Sequence, residues 1–271
     1  MQLELGSKVL VMGILNVTPD SFSDGGQFFS SKTIAAQIDA MVEAGADIID
    51  VGGESTRPFA EPVSIEDELA RVLPAIRQIR QHYSISISID TTKAEVARQA
   101  LEEGADVIND ISALRFDKNM IALAEESGVP VIIMHMQGTP ADMQIEPHYD
   151  DVVAEIKDFF RERLAWAAEN GVGGKQFIID PGIGFGKTVA HNLTILRRVE
   201  EFSELGCPVL IGHSRKSFIG KLLGTDVDQR DVATAAVSAV CAMKGVSILR
   251  VHDVAKTVEA VRLAEAIKNA E

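Results

Sequence analysis

The chain is short of positive charge. Its 271 residues hold 26 Lys and Arg against 40 Asp and Glu, a formal net charge of −14, and the pI is near 4.9. That balance excludes a nucleic-acid binder, which needs a basic surface to neutralise phosphates, and argues against docking on anionic lipid. Long apolar runs are missing too. The longest candidate, 233–243, is short and broken by Thr234 and Ser238, so no membrane span is expected. The N-terminal Met-Gln-Leu-Glu-Leu-Gly has no basic flank and reads as no signal peptide. There are two cysteines, Cys207 and Cys241, with no CxxC. They read as small apolar fillers in a reducing compartment, the cytoplasm by default. The six histidines show neither HxxxH nor HxH spacing, and no G-x-S-x-G elbow occurs, so neither a zinc cage nor Ser-His-Asp hydrolysis has support.

What is present is repetitive. Gly45-Ala46-Asp47 runs into Ile48-Ile49-Asp50-Val51, and Gly104-Ala105-Asp106 into Val107-Ile108-Asn109-Asp110. Gly128 and Gly245 open similar phrases. Each glycine suits a left-handed helix end, and each apolar run suits a parallel strand buried on both faces. Strands are expected at 9–16, 47–51, 85–90, 106–111, 130–135, 177–180, 208–213 and 247–251. Between them lie helical periods, such as Ile65, Leu69, Val72, Leu73, Ile76 and Ile79. Pro74 is expected to kink or divide that helix, and Thr92 with Glu95 to form a capping box ahead of Val96. Eight βα units in about 250 residues is the size of a (β/α)8 barrel. A doubly wound open sheet, the alternative, fits less well. No linker or low-complexity tract divides the chain, so residues 1–271 are expected to form a single domain.

The strand ends carry polar groups: Asn16, Asp50, Asp90, Asn109 with Asp110, His135, Asp180, His213 with Ser214, and Arg250 with His252. In a barrel these would face the mouth where active sites form. One such residue is commonly a loop cap, but eight strands ending this way call for a ligand with many donors and acceptors, such as a polar heterocycle. Arg57, Lys216, Arg250 and His252 form a second group, of cations, two of them in the usual phosphate position after strands 7 and 8. They point to an anionic substrate group. The run Gly182-Ile183-Gly184-Phe185-Gly186-Lys187-Thr188 is not a P-loop, because Pro181 stands where the first glycine belongs. It reads instead as a loop that brings backbone close to a flat ligand.

The segments MGILNVTPDSFSDGG (12–26) and DIIDVGGESTRP (47–58) resemble the two signatures of the dihydropteroate synthase family. IDTTKAEVA, GADVINDIS, DPGIGFGK, IGHSRKSFIGKLLG and RVHDV are similar to further segments of it. The resemblance runs from about residue 9 to about residue 254. It implies a (β/α)8 barrel, commonly a homodimer, that joins para-aminobenzoate to a dihydropterin-CH2-diphosphate with release of diphosphate, and that sulfonamides inhibit. By position, it implies that Asp90, Asn109, Asp180 and Lys216 hold the pterin, with Met134 and Phe185 against its ring. Asn16, Arg250 and His252 would hold the diphosphate, Asn16 also touching Mg2+. Phe22, Thr56, Arg57, Pro58 and Ser214 would shape the aminobenzoate side. Asp90, Lys216 and Arg250 are the expected catalytic groups. Where the family commonly has glycine after Pro58, this chain has Phe59. Two alternatives share part of the pattern. A pterin-barrel methyltransferase using methyltetrahydrofolate would not need the diphosphate groups or Ser214-Arg215-Lys216. A non-catalytic pterin-binding or sulfonamide-sequestering protein would show degraded motifs, and none is degraded.

Overall fold

The computed structural model describes residues 6–18, 31–55, 62–139, 143 and 145–270. Eight strands form one parallel sheet: β1 (Leu10–Asn16), β2 (Ile48–Gly52), β3 (Ser86–Asp90), β4 (Val107–Asp110), β5 (Val131–Met134), β6 (Phe177–Asp180), β7 (Leu210–Ile211) and β8 (Ile248–Val251). Their order is β6-β5-β4-β3-β2-β1-β8-β7, and a bridge from Ile179 to Val209 joins the two ends into a ring. The helices around it are α1 (Ser31–Glu43), α2 (Ile65–His82), α3 (Ala94–Glu102), α4 (Met120–Ser127), α5 (Val152–Glu169), α6 (Val189–Arg197), α7 (Ser217–Leu223), α8 (Asp231–Met243) and α9 (Val254–Lys268). Every expected strand is present, and the architecture is the (β/α)8 barrel rather than an open sheet.

Alternation along the strands sorts the side chains into two cores. Val11, Leu15, Ile49, Val51, Ile87, Ile89, Ile133 and Leu249 point outward and pack under the helices. Leu10, Met12, Ile48, Val107, Ile132, Ile178, Leu210 and Ile248 point inward and plug the barrel at its lower end. Moving two residues up keeps the inward direction, and on five of the strands the residues there turn polar. Asp50, Ser88, Asn109, Asp180 and Arg250 all lie on that inward phase.

The repeated Gly-Ala-Asp phrase has a structural reason. Gly45, Gly104, Gly128 and Gly245 all have positive φ, as helix-ending glycines do. The aspartate that follows then reaches back to the preceding strand. Asp47 accepts from Val11 N at 2.9 Å and Asp106 from Ile87 N at 2.9 Å. Each carboxylate so satisfies an amide at the N-terminal rim of the ring.

Two local expectations need correction. Pro74 lies inside α2 and does not divide it: one helix runs over 65–82, its apolar face (Val72, Ala75, Ile76, Ile79) buried in the core. The Thr92–Glu95 capping box does not form. The residue before α3 is Lys93, with no side-chain cap. Asp117 from the β4–α4 connection takes Ala94 N at 2.8 Å instead, and Glu95 turns along its helix to Arg98 and Gln99.

One backbone contact decides the upper rim between β5 and β6. Gly182 has φ of +72°, and a Cβ there would lie 2.0 Å from the carbonyl oxygen of His135. Gly182→Ala should therefore cost about 3 kcal/mol, from left-handed strain together with backbone displacement. A thermal melt lowered by roughly 6–12 °C is the expected outcome; an unchanged melt would show that the two loops do not press together.

Candidate active site

The polar inward residues meet at the C-terminal mouth. Register places Asn16 beside Gly52, Gly52 beside Asp90, and Asp90 beside Asn109. Four neighbouring strands thus present one row, with a glycine leaving room in it. Met134 and Asp180 are register partners on β5 and β6. Gly212, just past β7, leaves a second opening: a Cβ there would lie 3.6 Å from Asp180 Oδ2 and 4.0 Å from Arg250. Asp180 and Arg250 therefore flank one small gap.

Arg250 is the electrostatic centre. Its Nε donates to Asp50 Oδ2 and its Nη2 to Asp90 Oδ2, both at 2.6 Å. Burial works against its charge, but Asp50 and Asp90 outweigh that and raise its pKa. Asp50 has no exposed surface and also accepts from Asn109 Nδ2, at 3.3 and 3.2 Å to its two oxygens. Asp90 is less fortunate. Burial pushes its pKa up to about 7, against the pull of Arg250 and with Asp50 adding repulsion.

The walls are apolar. Ile111, Met134, Met136, Met143 and Phe185 form a small buried cluster of their own, apart from both cores. Lys216 holds its Nζ 4.0 Å over the Phe185 ring, a cation–π contact. Burial lowers its pKa to about 8, with Arg250 adding to the shift and Asp180 and Asp90 opposing it. Burial likewise raises the pKa of Asp180, opposed by the Gly182 amide and Lys216; its Oδ1 accepts from Gly182 N at 2.7 Å. An apolar wall with carboxylates and an amide beside it suits a hydrogen-bonding heterocycle.

Several sequence-based expectations change here. His252 is not a cation: burial, then Arg250, Arg215 and Lys216, lower its pKa to about 4. It is paired with Ser214, whose Oγ lies 2.9 Å from Nδ1 and accepts from the His252 amide at 3.1 Å. Three of the strand-end polar groups do not face the mouth. Asp110 is on the outward phase of β4 and caps Ser112 N and Leu114 N. His213 turns to Thr234 O and Ser238 Oγ on α8, both at 2.9 Å. His135 stands in the wall, edge-on to Phe159. Phe22, Thr56, Arg57, Pro58 and Phe59 lie outside the described residues.

Other contributors were assigned no role from the sequence. Lys187 is buried, and its Nζ reaches Phe185 O at 2.9 Å, His135 Nδ1 at 3.1 Å and His135 O at 3.4 Å. It stitches the Phe185 loop to the end of β5, and burial lowers its pKa to about 7. Glu54 accepts from Val63 N at 3.1 Å and pairs with Lys93, which also meets the fully buried Glu68 at 2.5 Å. This cluster joins the chain just past β2 to Val63, α2 and the residue before α3. Lys187 sits in a sequence run rich in glycine, but nothing in that run reveals three backbone and ring acceptors around it.

A (β/α)8 barrel with buried carboxylates, an amide and a paired guanidinium at its C-terminal mouth is the architecture of the pterin-binding barrel enzymes. The model of the family described as pterin binding enzyme matches residues 12–252. The chain is 48% identical over 260 residues to the dihydropteroate synthase of Escherichia coli (strain K12), covering 96% of this chain and 92% of that protein. The structure of Yersinia pestis dihydropteroate synthase with a sulfonamide drug complex superposes with a TM-score of 0.93 at 43% identity, covering 97% of this chain and 96% of that one. Xanthomonas albilineans dihydropteroate synthase in complex with 7,8-dihydropteroate gives 0.88 at 41% identity, covering 98% and 95%. The chain belongs to the pterin-binding enzymes and, among them, to the dihydropteroate synthase family.

The pKa shifts set a pH profile for the free enzyme. Asp90 is ionised above about 7, and Lys216 keeps its proton below about 8. If both charges are used, kcat/KM for the pterin substrate rises through about 7 and falls through about 8. Asp90→Asn should erase the acid limb and Lys216→Arg the alkaline one. Both limbs persisting in these variants would assign the titration to other groups.

Proposed function

We propose that this chain acts as a dihydropteroate synthase, a transferase of folate biosynthesis. It joins 6-hydroxymethyl-7,8-dihydropterin diphosphate to para-aminobenzoate, giving 7,8-dihydropteroate and diphosphate. One observation carries the reading: pterin-type edge acceptors and a buried guanidinium converge at one barrel mouth, in a chain of this family. The reaction breaks the CH2–O bond, whose electron pair leaves with diphosphate, and forms a C–N bond to the arylamine, which then loses a proton. An arylamine is neutral at pH 7 and needs no base before attack, so the lack of a hydrolase-type triad is no obstacle.

In this reading Asp180 accepts the paired N–H groups of the pterin's aminopyrimidine edge, Asn109 offers a donor and an acceptor, and Met134 and Phe185 pack against the ring beside Lys216. Arg250 and the neutral His252 meet the diphosphate, where negative charge grows as it departs. Asp90 faces the positive charge that grows on the CH2–pterin fragment. Phe22, Thr56, Arg57, Pro58 and Ser214 form the aminobenzoate side, where sulfonamides would compete. Ser214, bonded to His252, would link that side to the diphosphate. Mg2+ suits this donor set as an ion held chiefly by the substrate. No three His, Cys, Asp or Glu side chains gather around a metal position among the described residues, whereas Asn16 ends β1 on the inward phase with a hard oxygen. Asn16 would hold the ion beside the diphosphate, and bound Mg2+ would neutralise phosphate charge. The chain would work as one domain in the cytoplasm, in keeping with the absence of any membrane-spanning helix among the described residues.

A homodimer is part of the proposal, and α8 supports it. Val232 is 74% exposed, Val240 50% and Met243 44%, all on one face at helical spacing. Their neighbours Thr234, Ser238, Cys241 and Ala242 are buried. A charge-free apolar stripe of this kind marks an interaction surface. Val240→Arg should convert a dimer to monomer in sedimentation at micromolar concentration; a wild-type chain that is monomeric there would remove the dimer from the proposal.

The test of function is diphosphate release that requires both substrates. Release without aminobenzoate, or none with both present, would refute it. Asp90→Asn should lower single-turnover rate about 100-fold, or about 2.7 kcal/mol, while weakening pterin diphosphate binding far less. Asp180→Asn should weaken both together. Equal losses of binding and rate in Asp90→Asn would make Asp90 a recognition group only.

A further inference from the structure

Among the described carboxylates of the mouth, Asp50 has no exposed surface. It lies one inward step below the row of Asn16, Asp90 and Asn109, level with Ile14 and Ser88. Yet it touches two residues assigned to substrate. Its Oδ2 takes the Arg250 Nε proton at 2.6 Å, and both its oxygens face Asn109 Nδ2, at 3.3 and 3.2 Å.

The chemistry of these groups is asymmetric. A carboxylate only accepts, whereas an asparagine amide has one accepting and one donating end, which have nearly the same shape. Asp50 therefore dictates that the amino group of Asn109 points down at it. The carbonyl is held on the opposite side, and the amide's donor and acceptor meet a ligand in one order only. The same carboxylate anchors the Nε edge of Arg250. Arg250 thus keeps a fixed counter-ion when Asp90, at its Nη2, engages substrate.

We propose that Asp50 is a positioning residue that sets the hydrogen-bonding polarity of the pterin slot, fixing the orientation of Asn109 while anchoring Arg250. This rests on the reading that Asn109 and Arg250 contact the pterin diphosphate. Asp50→Asn should invert the polarity. Its carbonyl must serve Arg250, so its amino group faces residue 109, and Asn109 must turn its own carbonyl down. Asn109→Asp alone sets two carboxylates against each other. The double variant Asp50→Asn/Asn109→Asp has the wild-type charge. The amino group of the new asparagine then donates to the new carboxylate, which again presents an acceptor upward.

The experiment is calorimetric titration of the full-length wild type and the three variants with pterin diphosphate and Mg2+, together with the aminobenzoate KM at saturating pterin diphosphate. The expected result is an affinity about 100-fold weaker for each single variant. The double variant should regain at least tenfold over either, and the aminobenzoate KM should stay within threefold throughout. A purely structural carboxylate would not yield recovery on transposing the charge. If Asp50→Asn does not fold, the double variant against Asn109→Asp carries the same comparison. Affinity of Asp50→Asn within threefold of wild type, or a double variant no tighter than the single ones, would overturn the role of Asp50 alone. A wild-type chain that does not bind pterin diphosphate would overturn the proposed function, and this reading with it.

Discussion

Side chains that point into a closed eight-stranded ring have only one another for company. Low in the barrel that constraint is met by apolar packing, with Leu10, Met12, Ile48, Val107, Ile132, Ile178, Leu210 and Ile248 filling the interior. Higher up, the same inward phase carries charge, and charge away from water must be paired. Arg250, bonded to both Asp50 and Asp90, is the solution. Removing one partner from such a buried pair typically costs about 3–5 kcal/mol, so the three residues hold together as a unit.

The pairing also explains the electrostatic character of the mouth. With Asp50 and Asp90 on Arg250, and Asp180 and Lys216 near it, the site is not a strongly cationic bowl. His252 adds no charge, since its pKa falls to about 4. In the proposed reaction a diphosphate at this mouth would meet directed N–H donors more than excess positive charge, in keeping with a proposed divalent cation travelling with the phosphates. The raised pKa of Asp90 follows from the same crowding, because burial and a second carboxylate both disfavour its anion.

Around this centre the loops are fastened by further buried groups. Lys187 ties the Phe185 loop to β5, and Tyr149 donates to Gly186 O at 2.9 Å. Lys93 joins Glu54 to Glu68. A flat ligand is gripped only if its walls stay in place, and buried ammonium groups with several acceptors provide that rigidity.

The sequence alone determined the fold and marked the strand ends that carry polar groups. Short continuous apolar runs, helix-ending glycines at Gly45, Gly104, Gly128 and Gly245, and eight repeats favour a barrel over an open sheet, because such patterns report local backbone geometry. The strand-end positions of Asn16, Asp90, Asn109, Asp180 and Arg250 were equally legible, and family resemblance supplied their expected roles. What sequence could not convey was direction and partnership. Asp110 and His213 end strands as Asp90 does, but their phase turns them outward to Ser112 and Leu114 and to α8. The Thr92–Glu95 box was lost to Asp117, a residue from another connection. The protonation of Asp90 and His252 depends on charges contributed by other strands. Asp50 and Arg250 are 200 positions apart, and only closure of the ring brings them to 2.6 Å; an ion pair of that range has no local signature, because its energy exists only once the chain has folded.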